Sequence, residues 1–244
     1  MIKRFFKKKK VATPYSWVDI NIGLFKNKSL FLPESWGDKV IKGDHESEII
    51  EVMKSIIGES EVFYDVGAHY GWFTIAWLCL GGKYVEAFEP SKENISIITK
   101  TLEMNSLTNN VRLHNCALGE SINNGFLKLY PGDSSRNYIS KQKDNQSVPE
   151  EPIHIDSIDN MLNDIGLKNP DLIKIDVEGF EIEVLYGAKK LLKNLSPKLV
   201  IEIHDATNGL LVADFLSNLG YKMKILGYKG KNHSLPLVFW FKKN

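Results

Sequence analysis

Two stretches of the chain bring acids and an imidazole to the ends of apolar runs. In "DLIKIDVEGFEIEVLYGA", residues 171–188, Asp176 closes the run, and Glu178, Glu181 and Glu183 follow; Lys174 stands inside it. In "VIEIHD", residues 200–205, Glu202, His204 and Asp205 close another. Strand alternation puts Glu202 and His204 on one face. If the two runs are neighbouring strands, these groups face one cleft. A carboxylate beside an imidazole moves protons, and histidine, with an unperturbed pKa of about 6.5, is the side chain suited to a base near neutrality. His204 is thus the candidate base, Asp176 or Glu202 orients it or acts directly, and Glu178 joins them as a candidate catalytic acid. The rival chemistry is a divalent cation on Asp176, Glu202 and His204, holding a diol and lowering its hydroxyl pKa. No tight ligand spacing singles out a metal, and His204 also reads as a hydrogen-bonded histidine at a strand end.

A second kind of chemistry is written in "VFYDVGAHYGWFTIAW", residues 62–77, where Asp65 precedes Gly67, Ala68, His69 and Gly71. Glycines let a strand-to-helix turn bend sharply and approach a ligand, and the helix that follows offers unpaired N–H groups. A dinucleotide fingerprint has G-x-G-x-x-G, and its middle glycine is missing here. Asp65 would repel a pyrophosphate but attract the amino group of a zwitterionic methionine moiety. A turn capped by Asp65 is the purely structural alternative. Glu89, in "VEAFEP", falls about twenty residues further on, where an acid can accept from both ribose hydroxyls. Pro90 suits a helix start, where its missing N–H costs nothing; an acidic helix cap is the other reading of Glu89. Asn115, Cys116 and Ala117, in "VRLHNCALGE", can flank an adenine. Two acids and a glycine turn fit an adenosine with a cationic, unphosphorylated tail, which is the form of S-adenosylmethionine.

The elements that must position these residues alternate. Strands are expected at 61–66, 83–88, 111–116, 171–176 and 198–204, and helices at 71–80, 91–106, 156–165, 180–195 and 207–219. Near-continuous apolar strands between helices argue a parallel sheet covered on both faces. Ile182, Leu185, Ala188, Leu192 and Leu195 line one stripe of the 180–195 helix, which Pro197 ends. "YKMKIL" (221–226) and "LPLVFWF" (235–241) are joined by a loop too short for a helical crossover, so they predict an antiparallel hairpin. The fold class is therefore α/β: a mostly parallel seven-stranded sheet with helices on both faces and a C-terminal hairpin, the architecture of Rossmann-like methyltransferases. Ahead of it, Ile49, Ile50, Met53, Ile56 and Ile57 predict a lead-in helix over 44–57, with Asp44 or Ser47 as cap and Gly58 as stop.

The 244 residues, 43% hydrophobic and 25% charged, suit one main soluble domain. Residues 1–43 read as a basic terminus and extension with short strands. Residues 44–244 read as the main domain, with a polar insertion near 120–154 containing one strand, "GFLKLY", and expected to form an exposed insertion or lid. The net charge of +1 conceals "KRFFKKKK", residues 3–10, whose six positive charges leave about −5 elsewhere. That leader reads as a solvated terminus or as a peripheral contact with an anionic membrane. It has no secretory apolar region, and no window reaches the roughly eighteen apolar residues of a membrane span. Cys79 and Cys116 form no disulfide framework and no metal spacing. These features predict a cytoplasmic protein.

The run from about residue 60 to 204 resembles the FkbM-type family of S-adenosylmethionine-dependent O-methyltransferases. The pieces that carry the resemblance are "VFYDVGAHYGWFT", "VEAFEPSKEN", "NCALGE", "IHIDSIDNML", "DLIKIDVEGFEIEVLYGA" and "LVIEIH", in the family's order. The resemblance implies that Asp65, Gly67 and Gly71 frame the cofactor's amino-acid end, that Glu89 holds the ribose and that Asp176 lies near the transferred methyl. His69 departs from the asparagine often found there. The implied acceptor is a hydroxyl on a sugar, glycan, glycolipid or secondary metabolite. A nicotinamide-dinucleotide oxidoreductase and a non-catalytic binding module are the alternatives. Nucleic acid is disfavoured, because the body is acidic and no aromatic platform is interleaved with a basic stripe.

Overall fold

The computed structural model describes residues 15–21, 23–36, 47–58, 61–130, 134–143, 148–226 and 236–243. The basic run 3–10, Asp44 and the loop between the last two strands lie outside the described residues. The chain begins with β1 (Tyr15–Ile20), β2 (Lys28–Pro33), α1 (Ser47–Ile56), β3 (Val62–Val66), α2 (Trp72–Cys79), β4 (Tyr84–Phe88), α3 (Lys92–Met104) and β5 (Val111–His114). It continues with β6 (Ala117–Leu118), β7 (Asn123–Lys128), β8 (Tyr138–Ser140), β9 (Glu150–Asp156) and α4 (Ile158–Asp164). The last elements are β10 (Leu172–Ile175), α5 (Glu181–Gly187), α6 (Lys189–Asn194), β11 (Lys198–Ile203), α7 (Ala206–Asn218), β12 (Lys222–Ile225) and β13 (Leu237–Lys242).

The main sheet is mixed and seven-stranded, in the order β12-β13-β11-β10-β3-β4-β5. The pairs from β11 to β5 are parallel, and β13 runs antiparallel to both β11 and β12. Alternation divides its side chains between two cores. Phe63, Val85, Leu172 and Val200 pack on one face with α1, α2 and α3, together with Leu30 and Leu32 of β2. Tyr64, Val66, Ile173, Ile175 and Ile201 pack on the other with α4, α5, α6 and α7. Asp65 and Lys174 are register partners on adjacent strands and share the parity of Phe63 and Leu172, so both project towards α2. β2 docks on α3 through Ser29 N–H to Asn105 Oδ1 (3.1 Å) and Phe31 N–H to Thr101 Oγ1 (3.1 Å).

Four expectations need correction. Described residues of the polar insertion are not a loop with one strand: β7, β8 and β9 join β6 in a second sheet, in the order β6-β9-β7-β8. Ala117, Leu127, Ile153 and Ile155 give it a small core. The helix expected over 180–195 breaks at Ala188. There Gly187 lies so close to Gly119 that a Cβ would stand 1.9 Å from its carbonyl oxygen, and the amides freed at the start of α6 are capped by Asp159, which accepts from Lys190 N–H at 2.8 Å and Leu191 N–H at 2.9 Å. Leu195, beyond the end of α6, is exposed. Ser47 is the first residue of α1 rather than its cap, and α3 begins after Ser91, whose hydroxyl caps Asn94 N–H, so Pro90 precedes the cap.

Candidate active site

The glycine turn after β3 is built against the end of β10. Gly67 has φ +78°, and a Cβ on it would fall 1.9 Å from the carbonyl oxygen of Asp176. Only glycine lets the two strand ends approach this closely. The amides of Gly67 and Ala68 donate to Phe88 O at 3.0 and 3.1 Å, which locks the turn to the end of β4. Gly71 (φ +79°) is the N-cap of α2, tight against Ile98.

Glu89 is held where β4 ends. One carboxylate oxygen accepts from His69 N–H at 2.8 Å, and the other accepts from Ser91 N–H at 2.9 Å and Asn94 Nδ2 at 3.2 Å. Burial raises its pKa to about 7, against the opposing pull of those donors. Asn115 Nδ2 donates to Glu89 O (3.1 Å) and Pro90 O (2.9 Å), tying strand ends together.

Asp65 is also placed differently from expectation. It is 0% exposed and accepts from Thr74 Oγ1 at 2.7 Å, while its Oδ1 is buried without a hydrogen-bond partner among the described residues. Burial raises its carboxyl above the ordinary range, with Lys174 and Thr74 opposing. It lies beneath the cavity wall, against Thr74 of α2.

At the exit of β10 the acids gather around His204. Asp176 Oδ2 accepts from Lys174 Nζ at 3.0 Å. Burial would raise the Asp176 carboxyl, but Lys174 and His204 outweigh it and hold it low. Glu178 adopts φ 50°, ahead of Gly179 at 97°, a left-handed pair that swings its carboxylate back to within 3.5 Å of His204 Nε2. Burial pushes Glu178 up. Glu181, the first residue of α5, is 0% exposed. It accepts from His204 Nδ1 at 2.8 Å, from Gly179 N–H at 3.0 Å and from Asn208 Nδ2. Because a carboxylate only accepts, Nδ1 carries the proton and Nε2 is the atom turned to the other acids. Asp176 and Glu202 reach it at 3.6 and 3.9 Å. Burial opposes a charge on His204, yet Glu181, Asp176 and Glu178 together raise its pKa to about 9. The imidazole expected to titrate near 6.5 is therefore charged at neutral pH in the ligand-free protein.

One cavity of about 500 Å³ joins these features, within the range of small-molecule sites. Gly67, Ala68, His69, Glu89 and Pro90 line one part of it, Cys116 and Ala117 lie beside them, and Asp176, Glu178, Glu202 and His204 line another. Asp65, Gly71 and Asn115 are not in its wall. Burial, helped by Asp156, lifts the Cys116 thiol to about 12, so it is an inert wall residue. Sequence reasoning missed the contribution of the second sheet, which adds Leu127, Ser134, Arg136 and Ile139. Ser134 Oγ lies 2.9 Å from His69 Nε2 and 2.5 Å from Tyr70 OH, pinning the insertion to the glycine turn. Trp36, with its ring 5.4 Å from that of His69, completes an aromatic side.

Known proteins resemble this chain in sequence and in fold. The chain is similar to hexuronic acid methyltransferase AglP of Haloferax volcanii, 25% identical over 222 residues that cover 86% of this chain and 88% of that relative. In structure it is similar to methyltransferase FkbM from Methylobacillus flagellatus KT, with 22% identity, TM-score 0.55 and 75% of this chain covered; it spans 43% of that longer chain. A Streptococcus mutans protein solved in complex with SAH shares the fold at 13% identity and TM-score 0.50, covering 80% of this chain and 97% of that one. Residues 65–223, more than half of the chain, match the methyltransferase FkbM domain, and the chain belongs to that methyltransferase family.

Proposed function

We propose that the protein is an S-adenosylmethionine-dependent O-methyltransferase whose acceptor is a hydroxyl of a sugar or glycan. The observation that carries the reading is the single cavity running from the amide-braced Glu89 to the carboxylate and imidazole groups around Asp176. Its donor set matches such a cofactor: an acid at the end of β4 for a ribose diol, small residues for an adenine, and a surplus of carboxylates for a cationic tail. A dinucleotide would set its phosphates against that acidic end. The hexuronic acid named for the Haloferax volcanii relative supports a carbohydrate acceptor, and the SAH of the structural neighbour supports the cofactor class.

When bound, the cofactor supplies a sulfonium methyl, which is already electrophilic. The protein's work is to align an acceptor oxygen with it and keep water out, which is worth about 7 to 11 kcal/mol in favourable cases. Glu89 receives the ribose hydroxyls, and Trp36, His69 and the second sheet close the cavity. A cationic ligand near Asp176 and Glu178 relieves the field that keeps His204 charged and returns it towards its ordinary pKa of about 6.5. Nε2 then takes the hydroxyl proton, a contribution of about 10² to 10⁴-fold.

Isothermal titration tests the reading. S-adenosylmethionine is expected to bind and NAD not to bind, and Glu89→Gln should weaken S-adenosylmethionine by at least about tenfold, because a ribose diol loses its charged acceptor. Absence of S-adenosylmethionine binding to the wild type would sink the proposal. A labelled-methyl screen over hydroxylated acceptors, with uronic-acid sugars among them and mass spectrometry as readout, identifies the product.

A further inference from the structure

Three carboxylates stand around His204 Nε2. Oxygens of Glu178, Asp176 and Glu202 stand 3.5, 3.6 and 3.9 Å from it. All three distances exceed an N–H···O hydrogen bond, which ends near about 3.2 Å. Carboxylates that simply paired with a charged imidazole would close that gap. Ligands about 2.1 Å from a common divalent ion, however, stand about 3 Å apart when adjacent and about 4 Å apart when opposite. One donor atom each from Asp176, Glu202 and His204 lie within 4.8 Å of one another.

The surroundings add a second, independent feature. His204 is fixed from behind by Glu181, a carboxylate with 0% exposure whose oxygens are also claimed by Gly179 N–H and Asn208. A buried acid behind the protonated nitrogen of a histidine sets its tautomer and aims the other nitrogen, which is the arrangement that supports metal-ligating histidines. Asp176 is likewise divided between two tasks. Lys174 occupies Oδ2 at 3.0 Å, and Oδ1 is the oxygen turned to Nε2. Four carboxylates, those of Asp176, Glu178, Glu181 and Glu202, gather around one imidazole, with Lys174 paired to Asp176 and Arg136 acting on Glu178.

We propose that Asp176 Oδ1, a Glu202 oxygen and His204 Nε2 hold a divalent cation at the cavity wall, with Glu181 as the positioning residue behind the histidine. Two oxygens and one imidazole nitrogen suit a divalent ion of the Mn²⁺, Mg²⁺ or Zn²⁺ class. The remaining coordination positions open into the cavity, where adjacent oxygens of a sugar fit them. With the ion on Nε2, lowering of the acceptor hydroxyl's pKa by the ion replaces proton acceptance by that nitrogen, and the proton passes to Glu178 in the same cavity wall; this use rests on the methyl-transfer reading, whereas the binding does not.

Mn²⁺ alone is the probe. The full chain is stripped with chelator, dialysed and titrated while electron paramagnetic resonance follows free Mn²⁺. One saturable equivalent is expected, with Asp176→Asn and Glu202→Gln each weakening it at least about tenfold and Glu181→Gln weakening it by about 10 to 100-fold. Glu183→Gln, outside the cluster and 3.7 Å from Lys141, should bind as the wild type does. Circular dichroism melts confirm that each variant is folded; should Asp176→Asn fail to fold, Glu202→Gln alone decides. No saturable uptake by the wild type overturns the proposal, as does uptake unchanged in both Glu202→Gln and a folded Asp176→Asn. Uptake without methyl transfer to any acceptor would leave the ion site standing and remove its catalytic use. Transfer that persists in chelator, with no uptake, would remove the ion and leave the transfer.

Discussion

Gly67→Ala is expected to lower the stability of the folded protein by at least about 3 kcal/mol. In a chain of this size that is a fall of roughly 6 to 12 °C in Tm. Gly166→Ala is the control. Both glycines have positive φ, +78° and +63°, so both substitutions carry the left-handed penalty of about 1 to 2 kcal/mol. They differ in what a methyl group would meet: nothing within 4 Å at Gly166, and the Asp176 carbonyl oxygen at 1.9 Å at Gly67. That oxygen belongs to backbone tied to the end of β3 through Asp176 N–H to Val66 O at 3.1 Å, so it cannot swing aside as a side chain would. Thermal and urea unfolding of the two variants checks the difference. Equal losses in both would mean that β3 and β10 part easily, and the close approach would lose its meaning.

The second large effect is a dependence of stability on pH. With chelator present, the folding free energy should fall by about 3 kcal/mol between pH 6.5 and 9, because His204 titrates at about 9 when folded and near 6.5 when unfolded. A raised folded pKa means that the folded state binds the proton more tightly. The contribution is complete below pH 6.5 and disappears as the pH rises through 9. Glu89, raised by burial to about 7, also removes stability with rising pH, but its loss is complete by about pH 7. Cys116, at about 12, acts above the window. Asp65 and Glu178, also raised by burial, act in the same direction, so the part of the slope from pH 7 to 9 that belongs to His204 is the part removed by altering its partner Glu181. Glu181→Gln should flatten it, since the neutral amide withdraws the hydrogen-bonded charge while still accepting from Nδ1. Urea midpoints in matched buffers from pH 5 to 10 measure both proteins. A wild-type curve that is level between pH 7 and 9 would mean that His204 stands neutral among its acids.

The parallel strands were legible because each is a short, almost continuous apolar run, and the acid that ends each run, Glu89 or Asp176, is visible without knowing the fold. What the acids touch was not. Asp65 and Glu89 look alike in sequence, both acids at the turn regions of β3 and β4, yet Thr74 and α2 cover the first while the second lines the cavity. Glu181 stood unmarked in a crowd of four acids because its partner His204 lies 23 residues away. The second sheet escaped notice because each of its strands has one apolar face. In "EEPIHID" only Ile153 and Ile155 are buried, and such sparse alternation beside a long polar run resembles a loop. Ser134 carried no signal at all, since its hydroxyl acquires meaning only when the second sheet brings it to His69.

β13 follows every other strand in sequence, yet it lies inside the sheet between β11 and β12. During synthesis, β11 consequently waits with a bare hydrogen-bonding edge until β13 arrives, and β12 waits for the same partner. Such an edge is the kind of surface on which nascent chains associate wrongly. The ribosome thus releases the closing piece of this sheet after the strands on either side of it, and a chain cut just before Leu237 would leave a gap inside the sheet instead of a trimmed border.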